Sequence, residues 1–168
     1  TKYLYKKLQR SGMLERDCDH LVRNDRVTWG SCMIGCGDAD AMVTGGTRHH
    51  AATIEKLTKV VDARPGEIIF GLTMLVSKGR TVFVADTNVH DNPTAEQLVE
   101  IAISSTRVAR LFGFDPKVAF LSHSTFGKPA TVRTKHVREA IELMKSKKID
   151  FDYDGEMQPD VALNAEYK

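Results

Sequence analysis

Four polar segments, each placed after an apolar run, hold the residues of this chain that could do chemistry: Thr44–His50, Asp86–Asp91, Ser122–Lys128 and Asp154–Gln158. Thr44, Thr47, Ser122, Ser124 and Thr125 offer hydroxyl donors, and Arg48 and Lys128 offer cations that pair with phosphate. Gly45 and Gly46 let a backbone approach a ligand closely. The most pointed stretch runs from Val118 to Gly127: a short apolar strand enters a small polar loop, and a helix follows from about Thr131. In an open α/β sheet, ligands sit beyond the carboxyl ends of strands, often against a helix N-terminus whose N–H groups and dipole favour anions. The pattern points to a phosphate-bearing ligand, although the same glycines and hydroxyls are also ordinary turn formers.

Other pairings are weaker. Ser122, His123 and Ser124 suggest a nucleophile and base, but neighbours on an extended segment point to opposite sides. That leaves His123 as a polar wall or surface residue. Asp38 and Asp40 are too few for a closed cation site, and Cys32 and Cys36 lack the second cysteine pair of a zinc site. Asp86 and Asp154, each at a strand end, can orient a ligand amide or hydroxyl, or cap a neighbouring backbone.

Composition narrows the classes. The chain has 168 residues, enough for one domain with a real core; 42% are hydrophobic and 27% charged. A net charge of +2 supplies no polybasic face for nucleic acid, and no apolar run has the length of a transmembrane helix. The start is charged (Lys2, Lys6, Lys7, Arg10) rather than signal-like, and three cysteines cannot form a complete disulfide set. A cytoplasmic setting is expected.

The elements that must position the polar segments alternate. Helices are expected over Tyr3–Ser11, Leu14–Arg23 and Arg26–Cys36, making residues 1–37 a helical entry to an α/β core at 38–168 within a single domain. A brief strand at Ala41–Val43 and a helix over 50–61 follow. Ile68–Val76 is nearly all apolar and reads as a strand buried on both faces; Ser77–Arg80 turns it into an antiparallel partner, Thr81–Ala85. The helix Thr94–Phe112 opens on a Thr94/Gln97 capping box and closes at Gly113. A strand at 117–121, a helix at 131–147 with Val137, Ala140, Ile141 and Met144 inward, a short strand at Phe151–Tyr153 and a helical turn through Val161 complete the chain. The expectation is a three-layer α/β/α domain with a mixed, mostly parallel sheet.

Several segments, in order, resemble the phosphate acetyltransferase (phosphotransacetylase) family, whose fold is of the isocitrate/isopropylmalate dehydrogenase-like kind. Gly37–Gly45 (GDADAMVTG) is similar to that family's GDADGxVSG, and Val84–Leu98 to its ADxxVNPxPTAEQLA. Leu121–Thr125 (LSHST) is similar to LSYST, and Asp154–Ala162 to DGExQxDAA. Tyr3–Arg10, Val43–Arg48 and His123–Ser124 before Phe126–Gly127 most resemble the C-terminal phosphotransacetylase-like region of large bacterial malic enzymes. Arg48 stands where stand-alone transacetylases more often carry histidine or a small residue, which favours that branch.

The resemblance implies a region associated with oligomer assembly and with control by acetyl-CoA. The malic enzyme unit elsewhere in the parent would use NADP and a divalent metal, Mg or Mn, to convert malate to pyruvate. For acetyl-CoA or phosphate, the chain offers Thr44, Gly45, Gly46, Thr47, Arg48, Asp86, Ser122, His123, Ser124, Thr125, Gly127, Lys128 and Asp154. No Ser-Arg-Gly, the family's catalytic and CoA-contacting element, occurs in the sequence, so no catalytic residue and no cofactor of its own are expected here. The expectations are a piece of a larger chain, inactive by itself, that forms a homodimer through this domain and a higher oligomer in the parent. The alternatives are a fragment of a working phosphate acetyltransferase and a pure dimerisation module.

Overall fold

The computed structural model describes residues 1–124 and 131–164, with the backbone alone at Arg133. Their contacts fall into two compact units, Thr1–Pro65 and Gly66–Lys168.

The first unit is helical: α1 (Lys2–Leu8), a 3-10 turn (Gln9–Ser11), α2 (Glu15–Asn24), α3 (Arg26–Cys36) and α4 (His50–Val60). Its ends follow local chemistry. Asp25 caps α3 by accepting the Thr28 N–H, and Gly37 closes it in the left-handed region at φ 79°. Leu4, Cys18, Cys32 and Val60, one from each helix, form the buried core. The burial of Cys18 and Cys32 pushes both thiols above their ordinary pKa. The expected strand at Ala41–Val43 is absent: the segment pairs with no strand and Val43 is fully exposed. Met42 instead lies against Gly30 of α3, where an added Cβ would fall 2.5 Å from its Sδ.

The second unit is α/β: β1 (Leu72–Ser77), β2 (Arg80–Ala85), α5 (Ala95–Leu111), β3 (Val118–Leu121), α6 (Val132–Ser146), β4 (Tyr153–Met157) and α7 (Pro159–Leu163). Among the described residues, β1 pairs antiparallel with β2 and β3 parallel with β4. Both expected kinds of pairing are present, but in two separate two-stranded sheets rather than one mixed sheet. The β1–β2 turn is only Lys78-Gly79, at φ 49° and 75°, the doubly positive geometry that matches strand twist. α5 and α6 pack together, α6 against β4 and α5 against β2. Val99, Ala102, Phe120, Val137, Ala140 and Met144 fill the core between them.

Two expectations about the strands are corrected. The run Ile68–Val76 is not a doubly buried strand. Pairing begins only at Leu72, and Met74, Leu75 and Val76 are 46%, 52% and 67% exposed; successive side chains point to opposite faces, so among the described residues neither face of β1 is covered. The last strand starts at Tyr153 and runs through Asp154-Gly155-Glu156, which read as a loop. Polar composition hid it: Glu156 is 2% exposed, with Arg138 Nη1 at 3.5 Å from its Oε1, and Met157 is fully buried.

Helix α5 carries the expected capping box. The Gln97 N–H donates to Thr94 Oγ1 at 3.3 Å, and the Thr94 N–H donates to Gln97 Oε1 at 2.9 Å. Thr94→Ala removes the first bond and is expected to cost about 1 kcal/mol in denaturant unfolding. An unchanged midpoint would assign the helix start to tertiary packing alone. No helix among the described residues is long and apolar enough to cross a membrane.

Candidate ligand-binding sites

In the first unit the organising residue is Asp25, which joins α2 to α3 and is 7% exposed. One oxygen, Oδ2, accepts the Thr28 N–H at 3.0 Å and the Thr28 hydroxyl at 2.6 Å. The other, Oδ1, receives Lys56 Nζ at 2.8 Å and lies 3.4 Å from Arg48 Nη1. Burial pushes the pKa of this carboxyl up. The hydrogen bonds from Lys56 and Thr28, with the Lys56 charge, outweigh burial and bring it from 3.8 down to about 2.

A folded value below the unfolded one means that the interaction stabilises the protein above about pH 4 and is lost as pH falls toward 2. The shift corresponds to about 2 kcal/mol. Denaturant unfolding of wild type and Asp25→Asn should therefore differ by roughly that amount at about pH 6 and converge near pH 2. A gap that persists in acid would mean that the charge of Asp25 is not what stabilises it.

The same ion cluster fixes the loop that reads as a phosphate cradle. Gly45 and Gly46 have φ 118° and 74°, and the Thr47 N–H donates to Gly45 O at 2.9 Å, folding the loop tightly back. Thr44, Gly45, Thr47 and Arg48 line a cavity of about 600 Å³ together with Arg26, Trp29 and Met42. Arg48 remains 42% exposed while held by Asp25. Cation, hydroxyls and open backbone in one concavity can take an anionic oxygen ligand. Asp25, Lys56, Arg26 and Trp29 were not singled out from the sequence. The signals were Asp25-x-x-Thr28, a helix-start pattern, and a lone tryptophan three residues after an arginine.

The remaining expected site residues lie in the second unit. Ser122 and His123 follow β3, and Ser124 is fully buried. The Ser124 N–H donates to Ser122 Oγ at 3.1 Å, so the Ser122 hydroxyl closes its own turn. The Ser122 N–H donates to Met157 O at 3.0 Å, and Gln158 Nε2 to His123 O at 3.0 Å, tying the loop to the end of β4. Asp154 does not join that edge. It stands inside β4 opposite Ala119, exposed, with Oδ1 accepting the Gly155 N–H at 2.8 Å. Thr125, Gly127 and Lys128 lie outside the described residues.

Asp86 is used internally. Its side chain is 2% exposed; Oδ1 accepts the Gly71 N–H at 2.6 Å, and Oδ2 accepts the His90 N–H at 2.9 Å and lies 2.6 Å from His90 Nδ1. Of the two roles open to a strand-end aspartate, capping neighbouring backbone is the one its partners occupy. His90, absent from the expected set, makes two of the three contacts of that clamp.

The chain as a whole is similar to known proteins. The family described as Phosphate acetyl/butaryl transferase matches residues 1–168. The NADP-dependent malic enzyme of Rhizobium meliloti is 46% identical over 98% of this chain, which spans 22% of that enzyme. The phosphate acetyltransferase of Nitratidesulfovibrio vulgaris is 37% identical over 85% of the chain, which spans 20% of it. Among solved structures, a phosphotransacetylase from Streptococcus pyogenes superimposes with a TM-score of 0.77 at 29% identity, covering 99% of this chain and 54% of that one.

Proposed function

Since the chain belongs to the Phosphate acetyl/butaryl transferase family, we propose that it is the phosphotransacetylase-like region of a cytoplasmic NADP-dependent malic enzyme, where it binds acetyl-CoA as an effector and holds copies of the protein together. The observation that carries this reading is the 46% identity to a malic enzyme over 98% of the chain, combined with the chain's 22% share of that enzyme. NADP, the divalent metal and the oxidative decarboxylation of malate belong to another part of such a protein. The residues here contribute none of those steps.

What this chain's residues can do is bind and orient. Arg48, fixed by Asp25, faces the cavity beside the Thr44 and Thr47 hydroxyls, a set suited to the phosphates of CoA. Assembly is supported by exposed apolar surface in the second unit. Leu111 and Phe112 are 82% and 60% exposed at the end of α5, and Phe83 of β2 packs beside Phe112 with ring centroids 6.1 Å apart. Such a patch is a candidate surface for a second copy. Light scattering should give the mass of a dimer; a monomer at high concentration would remove assembly from the proposal.

A second reading is favoured by the 37% identity to a phosphate acetyltransferase: a region that moves acetyl between CoA sulfur and phosphate. One preparation separates the two. Calorimetry should detect acetyl-CoA binding, while acetyl phosphate and CoA incubated with the chain should yield no acetyl-CoA. Sustained transfer would establish the second reading, and absence of binding would reduce the role to assembly.

A further inference from the structure

The cavity beside Arg48 has a wall that the phosphate reading does not use. Trp29 is 53% exposed on α3, although a tryptophan left this open gives up much of the burial its ring area offers. It is not needed for the helix core, which uses Val27, Thr28, Ser31 and Cys32. Arg26 stands three residues earlier, on the same helical face, exposed, and its guanidinium makes no hydrogen bond or ion pair to any described residue. Trp29 and Arg26 also line a second cavity of about 760 Å³ that includes Arg23 and Asn24. The two therefore form a ridge with open space on both sides, and Arg48 lies across the first.

We propose that this ridge is a nucleotide site: a planar heterocycle stacks on the Trp29 indole, and the phosphates it carries are held by Arg26 and Arg48. An exposed indole is a stacking platform for any nucleobase, because every base presents a π-face. Guanidinium groups match phosphate oxygens in pairs. Neither feature alone specifies a nucleotide. Ring and phosphate together require a ligand with both, of a size that spans the ridge. The inference deepens the acetyl-CoA reading of the same cavity by naming the part of the ligand that this wall takes.

The test uses the full chain and three probes: ADP, inorganic pyrophosphate and adenosine. Trp29 is the single tryptophan of the sequence, so its fluorescence reports the site directly. ADP should quench it and bind by calorimetry, with pyrophosphate and adenosine each roughly tenfold weaker or more. Trp29→Leu, at an exposed position, should weaken ADP about tenfold and leave pyrophosphate unchanged, with the melting temperature as the folding control. Arg26→Gln should weaken ADP and pyrophosphate alike. Equal ADP binding in wild type and Trp29→Leu, or no ADP binding at all, overturns the proposal. If acetyl-CoA still binds in that case, the effector reading stands without it. If ADP binds at Trp29 and acetyl-CoA does not, the nucleotide site stands and the effector reading fails.

Discussion

Replacing Asp86 with alanine is expected to cost about 3 kcal/mol and to lower the melting temperature by roughly 10 °C. The magnitude follows from what the carboxylate holds. It takes N–H groups from two separate backbone positions, Gly71 at 2.6 Å and His90 at 2.9 Å, with a side chain only 2% exposed. Truncation leaves both donors without a partner in a place that water enters poorly, and each such group carries its own desolvation penalty. Gly71 has no latitude to move in compensation: an added Cβ there would sit 2.7 Å from Thr87 Oγ1. Asp86→Asn should fall between, since the amide keeps one acceptor but turns an NH2 group on the other donor. His90→Ala should cost only about 1 kcal/mol, because the carboxylate keeps its two backbone partners. Thermal unfolding of the three variants checks the order; a harmless Asp86→Ala would show that the clamp does not hold the loop after β2.

The second large effect is expected at Gly155. A Cβ there would lie 2.7 Å from the Phe120 carbonyl oxygen and 2.9 Å from Phe120 Cβ, at a φ of +144° that L side chains rarely adopt. The atoms in the way are the Phe120 backbone and its Cβ, so no flexible side-chain end can give. Phe120 is opposite Gly155 in the only parallel pairing among the described residues, and it is a core residue. Gly155→Ala should therefore separate β4 from β3 and cost about 3 kcal/mol or more. Gly46→Ala is the matched control. Its φ is +74° but nothing lies within 4 Å, so only backbone strain remains, about 1 kcal/mol. Comparable melting temperatures for the two variants would contradict the close approach of the strands.

Where local chemistry decides, the sequence was legible. Helix α3 begins after Asp25 and ends before Gly37, and α5 begins after Thr94, because capping groups and a left-handed glycine act within four residues of the helix they bound. Legibility failed where distant packing decides. Asp154-Gly155-Glu156 has loop composition, yet it is a strand because Gly155 fits against Phe120 and Glu156 is buried beside Arg138. The apolar run from Ile68 reads as buried, yet among the described residues nothing covers the side chains of β1. At the candidate site, hydroxyls and glycines of the Thr44–Arg48 loop were visible from their types and spacing. Asp25, which fixes Arg48, comes from a helix junction 23 residues earlier; its sequence context marks a helix cap, and only its tertiary partners mark the ion cluster. Trp29 was hidden for the opposite reason: apolar residues in a helix read as core, and only its exposure sets it apart.

The most direct test of the proposed role is the rate of NADP-dependent malate oxidation by the full-length protein that contains this chain, measured with and without acetyl-CoA. A rate that changes with acetyl-CoA, and stops responding when residues 1–168 are deleted, is the expected result. A rate that acetyl-CoA leaves unchanged, with acetyl phosphate formed from acetyl-CoA and phosphate, would contradict it and make the region a transferase.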